Sequence, residues 1–280
     1  SRRLFLMTKL YFNPVSHTII ERLKGSLPQA VLLTGKPGIG LLTAAKYIAG
    51  DNLQGVIEPI DKDGAVNHLK GTVSVKKIKE LYDDTKGKSV TQRVFILDDA
   101  DKMSPGAQNA FLKLLEEPNQ STHFILTSHN PNALLPTVKS RVETVTLQPI
   151  TQVQSEDMAS ALKLRGDKTA QAMFIAAGRP AEIARLAADD DYFKETAGLM
   201  VAAKNFLSGN KANAVEIAFQ HATSRELAMN FLIACKTLLQ HTLKKQPSPE
   251  LIAQLERVSD AYAAINANGN VKLHLMAIMV

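Results

Sequence analysis

One cysteine, no tryptophan and no long uncharged apolar run distinguish this chain of 280 residues. A lone thiol, Cys235, excludes an internal disulfide. A structural zinc site needs about four Cys or His ligands at short spacing, and no histidine cluster makes up that number. No window of about 18 apolar residues lacks charge, so no membrane-spanning helix is expected. The opening SRRLFLM is positive, yet it has neither the apolar stretch nor the small-residue cleavage site of a secretory signal. Met7 is expected to be the natural start, behind an extension, and the protein to be cytoplasmic. The missing Trp weighs against an aromatic platform for single strands. Excess acid is lacking too: 33 Lys+Arg against 27 Asp+Glu leave +6, which suits solubility and is compatible with work near a polyanion.

What is present is alternation. The run AVLLTG (Ala30 to Gly35) is too short for a core helix and ends in turn residues, so it reads as a buried strand. GKPGIG then gives way to LLTAAKYIAG, Ala-rich and closed by Gly50, which suits a helix. A strand is expected around Val56 to Ile60 and a turn at Asp63-Gly64. Val73 to Thr85 sets Val75, Ile78, Leu81 and Tyr82 at helical spacing. Val94 to Leu97 resumes the strand pattern and ends on Asp98 and Asp99. Ser104-Pro105 caps a helix carrying Ala107, Ala110, Phe111, Leu114 and Leu115, with Pro118 as its stop. Two further strands fall at His123 to Pro131 and Val142 to Ile150.

Strands alternating with helices imply a parallel, three-layer α/β sheet. From Thr151 onward Ala/Leu-rich segments replace the β-branched runs, and turns at Gly178-Arg179-Pro180 and Ser208-Gly209-Asn210 divide them. The expected organisation is an α/β domain over 1–150, a small helical domain over 151–206 and an all-α domain over 207–280.

Strand, glycine loop and helix form the layout of a phosphate-binding loop, G-x-x-x-x-G-K-[ST], whose backbone N–H groups cradle phosphates while Lys neutralises them and Ser/Thr holds Mg²⁺. Gly35 and Gly40 occupy its two end glycines, with Gly38 between them. Leu41 stands where Lys belongs and Leu42 where Ser/Thr belongs. Lys36 comes five positions early (41 − 36). Two leucines remove the contacts to the charged end of a nucleotide, and a helix dipole supplies only about 1 kcal/mol. Tight ATP binding is therefore not expected. A glycine turn that merely joins strand to helix is equally compatible with the loop alone. Asp98 and Asp99 hold the place of the acids that bind Mg²⁺ and orient water, Asp99 being one methylene shorter than the usual Glu.

The segments LPQAVLLTGKPGIG, VSVKKIKELYD, VFILDDADKMSPGAQNAFLKLLEEP, FILTSHNP and LLPTVKSR resemble, in order and spacing, the bacterial clamp-loader AAA+ family over about Leu27 to Pro149. The resemblance implies a P-loop (AAA+) α/β module, a helical lid and a helical collar that joins subunits into an open ring. That ring loads a sliding clamp on primer-template DNA within the polymerase III holoenzyme. In such rings ATP lies between neighbours, and a Ser-Arg-Cys motif presents an arginine finger to the adjacent γ-phosphate. Ser140-Arg141 matches that pair, with Val142 for Cys. The family's sensor residue falls at Ser128 or His129, and its second-sensor arginine aligns with Ala181, leaving Arg179 as a surface charge. The family's zinc module is missing from 51–71, so no metal is expected.

Elements that handle a nucleotide are thus degraded while the element acting on a neighbour persists. This favours a stator without its own ATPase activity, with ATP and Mg²⁺ in neighbouring subunits. An ATP-hydrolysing motor, rescued by Lys36 or Lys46, is the first alternative. The second is a DNA-contacting module using Lys70, Lys76, Lys77, Lys79, Lys86 and Lys88. The apolar face of Leu227, Phe231, Ile233, Ala234 and Leu238 suits subunit packing or internal core alike. Cys235 reads as a buried hydrophobe, and His17, His68 and His221 receive no role.

Overall fold

Apolar runs with helices between them fold here as the pattern requires. A computed structural model describes residues 9–86, 91–117, 121–209 and 211–279. Met7, Lys88, Pro118 and Asn210 lie outside those residues. In chain order the first elements are α1 (Pro14–Gly25), β1 (Ala30–Thr34), α2 (Leu41–Ala49), β2 (Leu53–Ile57), α3 (Val75–Thr85) and β3 (Arg93–Leu97). They continue with α4 (Pro105–Glu116), β4 (Thr122–Ser128), α5 (Pro136–Lys139) and β5 (Glu143–Thr146). Helices alone follow: α6 (Gln152–Ala161), α7 (Asp167–Ala176), α8 (Pro180–Ala188), α9 (Asp190–Ser208), α10 (Lys211–His221), α11 (Arg225–Lys245), α12 (Pro249–Asn266) and α13 (Val271–Ala277).

The five strands form one parallel sheet in the order β2-β3-β4-β1-β5. Its two faces separate by strict alternation. Val31, Leu33, Val94 and Ile96 face Ile20, Leu41, Ala44 and Ile48 on one side. Leu32, Phe95 and Leu97 face Ile78, Phe111 and Leu114 on the other. Strands covered on both faces must be apolar throughout, which is why β1 and β3 read as unbroken hydrophobic runs.

Several expectations shift. The last two strands are Thr122–Ser128 and Glu143–Thr146, shorter than the expected His123 to Pro131 and Val142 to Ile150, because a turn begins at Pro131 and Pro149 cannot extend the ladder. The second strand runs Leu53–Ile57 rather than Val56 to Ile60. Pro59 lacks the N–H a ladder needs, and Ile60 instead makes isolated antiparallel bridges to Val66 and Thr72. On α3, Ser74 caps the helix by accepting from the Lys77 N–H at 3.4 Å, and Ile78 and Leu81 are buried while Tyr82 is 40% exposed. Ser104 caps α4 as expected, accepting from the Ala107 N–H at 3.2 Å.

Contacts group the chain into two compact units, one holding residues up to Lys163 with Ala176–Ala184, the other Leu164–Ile175 with Arg185 onward. In the second unit α9, α11 and α12 share a core around Ala203, Phe206, Phe231, Leu232 and Val258. Phe231 and Ala234 of α11 are buried in it, Leu227 and Leu238 pack at its edge, and Ile233 is exposed. Cys235 lies in the same core, where burial pushes its thiol up from the usual range. His221 has no acidic partner among the described residues; its Nδ1 lies 2.8 Å from the Ile217 carbonyl and its ring stacks on Phe231. No helix among the described residues is long and apolar enough to cross a membrane.

Candidate functional site

The loop leaving β1 turns twice through the left-handed region that glycine tolerates, at Gly38 (φ +83°) and Gly40 (φ +92°). Gly40 delivers the chain into α2, so Leu41 opens the helix. Leu41 is 3% exposed and belongs to the apolar core below the sheet, and Leu42 packs on the edge of the same cluster. Neither side chain can take up a charged phosphate. Lys46 sits in the last turn of α2, about 7 Å along the axis from the loop at 1.5 Å per residue.

What lies against the loop is the start of α8. The Glu182 N–H donates to the Gly38 carbonyl at 3.1 Å. A Cβ on Gly38 would meet Glu182 Cβ at 2.9 Å and Glu182 Oε2 at 3.3 Å. Ala181, at the expected second-sensor position, lies beside Gly40. Arg179 is not the surface charge expected of it: its Nη1 donates to the Pro37 carbonyl at 2.9 Å and its Nε to Ala176 at 2.7 Å, so it bolts the start of α8 to the loop. A phosphate approaching Gly38 meets a carboxylate, which repels it.

Of the sensor candidates, Ser128 is fully buried and its Oγ accepts from the Asn130 N–H at 3.0 Å. His129 turns toward the loop, with Nδ1 2.8 Å from the Gly35 carbonyl. A cavity of about 450 Å³ remains beside Gly35, lined also by Lys36, Ile39, His129, Leu147 and Pro149.

Asp98 is 6% exposed at the end of β3. Thr127 of β4 joins the two acids: its hydroxyl donates to Asp98 Oδ1 at 2.6 Å and accepts from the Asp99 N–H at 3.0 Å. Asp99 takes a left-handed backbone (φ +48°) and reaches His68 Nδ1 at 2.8 Å. His68 therefore has carboxylate partners after all, Asp99 and, at 3.7 Å, Glu58. Sequence spacing hid them because they come from three separate segments.

Burial, foremost, holds the Asp98 carboxyl above the usual range, with Asp99 and Glu58 adding to it against the Thr127 hydroxyl and His68. The fold thus disfavours the charged form. That penalty is absent below the unfolded carboxyl's pKa, grows as pH rises between the unfolded and folded values, and is complete above the folded one. Asp98→Asn keeps an acceptor for Thr127. In metal-free buffer it is expected to raise the thermal midpoint at pH 7, with the gain disappearing by about pH 4; an unchanged or lower midpoint at pH 7 would contradict this.

Arg141 follows α5, and its side chain is 39% exposed. Its Nη1 donates to the Thr137 carbonyl at 3.0 Å and lies 3.4 Å from Ser140 Oγ, while Nη2 pairs with Glu116 at 2.9 Å. A surface arginine there would be expected to pair with Glu143 or a nearby carboxylate; Glu143 is held by Arg22, and Glu116 is the carboxylate that Arg141 takes. Val142 packs on the core beneath. Of the lysine run, Lys76 and Lys77 pair with Glu80 on α3, and Lys86, just past its end, pairs with Asp83.

A parallel sheet in this strand order, with a glycine loop after β1 and acids after β3, is the P-loop (AAA+) fold. Residues 52–151 match the family described as DNA polymerase III, delta subunit. A DNA polymerase III delta-prime subunit of Bacillus subtilis is 30% identical over 168 residues, 53% of this chain and 49% of that protein. A replication factor C small subunit of Aeropyrum pernix is 27% identical over 144 residues, 48% of this chain and 43% of that one. The chain therefore spans about half the length of the curated relatives it matches. The crystal structure of a DNA polymerase III gamma subunit-related protein of Thermotoga maritima shares the fold, with a TM-score of 0.56 at 18% identity over 94% of this chain and 96% of that one. Over residues 52–151 the chain is similar to the DNA polymerase III delta subunit family, and its α/β part is similar to delta-prime and replication factor C small subunits.

Proposed function

We propose that this chain is a delta-prime-like stator of a DNA polymerase III clamp loader, without ATPase activity of its own. It supplies Arg141, steadied by Ser140, to the nucleotide of an adjacent motor subunit. On this reading residues 1–150 are the AAA+ module, 151–206 the lid and 207–280 the collar. The partners are the other loader subunits and, through them, the sliding clamp and primer-template DNA, in the cytoplasm.

The observation that carries the reading is the state of the loop. Leu41 is sunk in the core where a phosphate-binding ammonium belongs, and Glu182 backs onto Gly38. An arginine that touches none of the loop residues 35–42 remains half-exposed at the far end of α5. The lysines on α3 and just past its end that are paired with Glu80 and Asp83 support a solvated helix face more than a DNA track.

Titration of the isolated chain with MgATP by calorimetry tests this directly. No saturation is expected up to about 1 mM, a concentration at which even a −4.1 kcal/mol interaction would show half-occupancy. Micromolar affinity would instead support the motor reading, with Lys36 taking over from the missing lysine.

A further inference from the structure

We propose that Glu58, His68 and Asp98 form a binding site for one divalent transition-metal ion, zinc in the first instance, that fills without any nucleotide. The three residues come from different parts of the chain. Glu58 follows β2, His68 lies in the connection to α3, and Asp98 ends β3. One ligand atom from each lies within 4.8 Å of the other two. Four-coordinate zinc with bonds of about 2.0–2.1 Å sets its ligand atoms roughly 3.3 Å apart, so inward movements of about an ångström close the site. The side chains that must move are free to do so: His68 is 45% and Glu58 32% exposed, whereas Asp98 is fixed by the Thr127 hydroxyl.

Charge argues for a cation here. Three carboxylates, Glu58, Asp98 and Asp99, surround one imidazole, and no Lys or Arg among the described residues pairs with any of them. Buried or half-buried charge of one sign is costly unless a counter-ion meets it. A dication at this point neutralises two carboxylates at once.

Asp99 has a separate part. Its carboxylate lies 2.8 Å from His68 Nδ1, the nitrogen that Asp98 Oδ2 also approaches at 3.9 Å, while Nε2 on the opposite ring edge faces Glu58 at 3.7 Å and must swing toward Asp98 for the ion to bind. A carboxylate on one imidazole nitrogen fixes the tautomer and turns the other nitrogen toward a metal. Asp99 is accordingly a positioning residue. The ligand set selects the ion: imidazole suits zinc and its first-row neighbours, whereas Mg²⁺ demands oxygen ligands in octahedral array. Occupancy would pin the long β2–α3 connection to the end of β3.

Calorimetric titration of the full chain with zinc chloride, and separately with magnesium chloride, in nucleotide-free buffer is the test. One zinc per chain is expected, with magnesium at least tenfold weaker. His68→Ala and Glu58→Gln should each weaken zinc at least tenfold while keeping the wild-type thermal midpoint in chelator. Absence of stoichiometric zinc binding, or binding unchanged in both variants, would overturn the site and leave an adventitious ion only. X-ray absorption of the zinc-loaded wild type reads the site without any variant. A first shell of one imidazole with oxygens supports it, and two or more imidazoles would place the ion elsewhere.

Discussion

Arg141→Ala in a reconstituted loader is expected to abolish turnover at the one nucleotide site it faces while leaving the isolated chain folded. An arginine finger is worth about 10³ to 10⁵ in rate to the hydrolases that use one, because a guanidinium meets charge that develops on the transferred phosphoryl group. In the free chain the side chain rests on Glu116, half-exposed on both sides of the pair. Such exposed pairs contribute at most about 1 kcal/mol, so Arg141 leaves Glu116 readily when a stronger anion arrives. The same number limits the damage to folding. Total clamp- and DNA-stimulated ATPase should fall by the share of that site, and Arg141→Lys should recover little, since an ammonium lacks the planar two-pronged donor geometry. Unchanged ATPase in a loader that has incorporated the variant would remove the in-trans role.

Phe111→Ala should cost about 3–5 kcal/mol, a large part of the 5–15 kcal/mol that holds a domain together. Phe111 is fully buried on α4, and its ring meets Phe124 edge-on at 5.3 Å and 80°. The residues around it, Leu32, Leu97, Ile78 and Leu114, come from the sheet and from both helices on that face, so no single element can collapse into the void. Because α4 ends at the Glu116 that holds Arg141, the loss reaches the Arg141 pair as well. Tyr82→Ala is the control. Tyr82 shares the helical spacing of Ile78 and Leu81, yet it is 40% exposed, and its removal should change stability by less than about 1 kcal/mol. Urea midpoints of the two variants separate these expectations; a Phe111→Ala midpoint close to wild type would mean that this face is not the core described here.

Local signals carried the sheet well and the site partly. β1, β3 and β4 were legible because strands buried on both faces must be apolar without interruption, and the Ser104-Pro105 start of α4 because capping is a two-residue affair. β2 was less so: its register shifts between Leu53 and Gly55 and its burial is partial, so Pro59 and Ile60 blurred its end. The loss of Lys and Ser/Thr at Leu41 and Leu42 can be read directly from the loop. What stands against the loop cannot, since Arg179 and Glu182 arrive more than 130 residues later, through chain topology alone. His68 was passed over for the same reason. Its partners Glu58 and Asp99 are ten and thirty-one residues away in opposite directions, and only the adjacency of β2 and β3 unites them.

A reconstruction of the assembled ring with ADP and a metal fluoride that mimics the transferring phosphoryl group would show where Arg141 goes when a neighbouring site is occupied. The Arg141 guanidinium is expected to be detached from Glu116 and in contact with the anion bound to the adjacent subunit, with no nucleotide at Gly35, Gly38 and Gly40 of this chain. A nucleotide seated on this chain's own glycine loop, or Arg141 still paired with Glu116 beside an occupied neighbour, would contradict it.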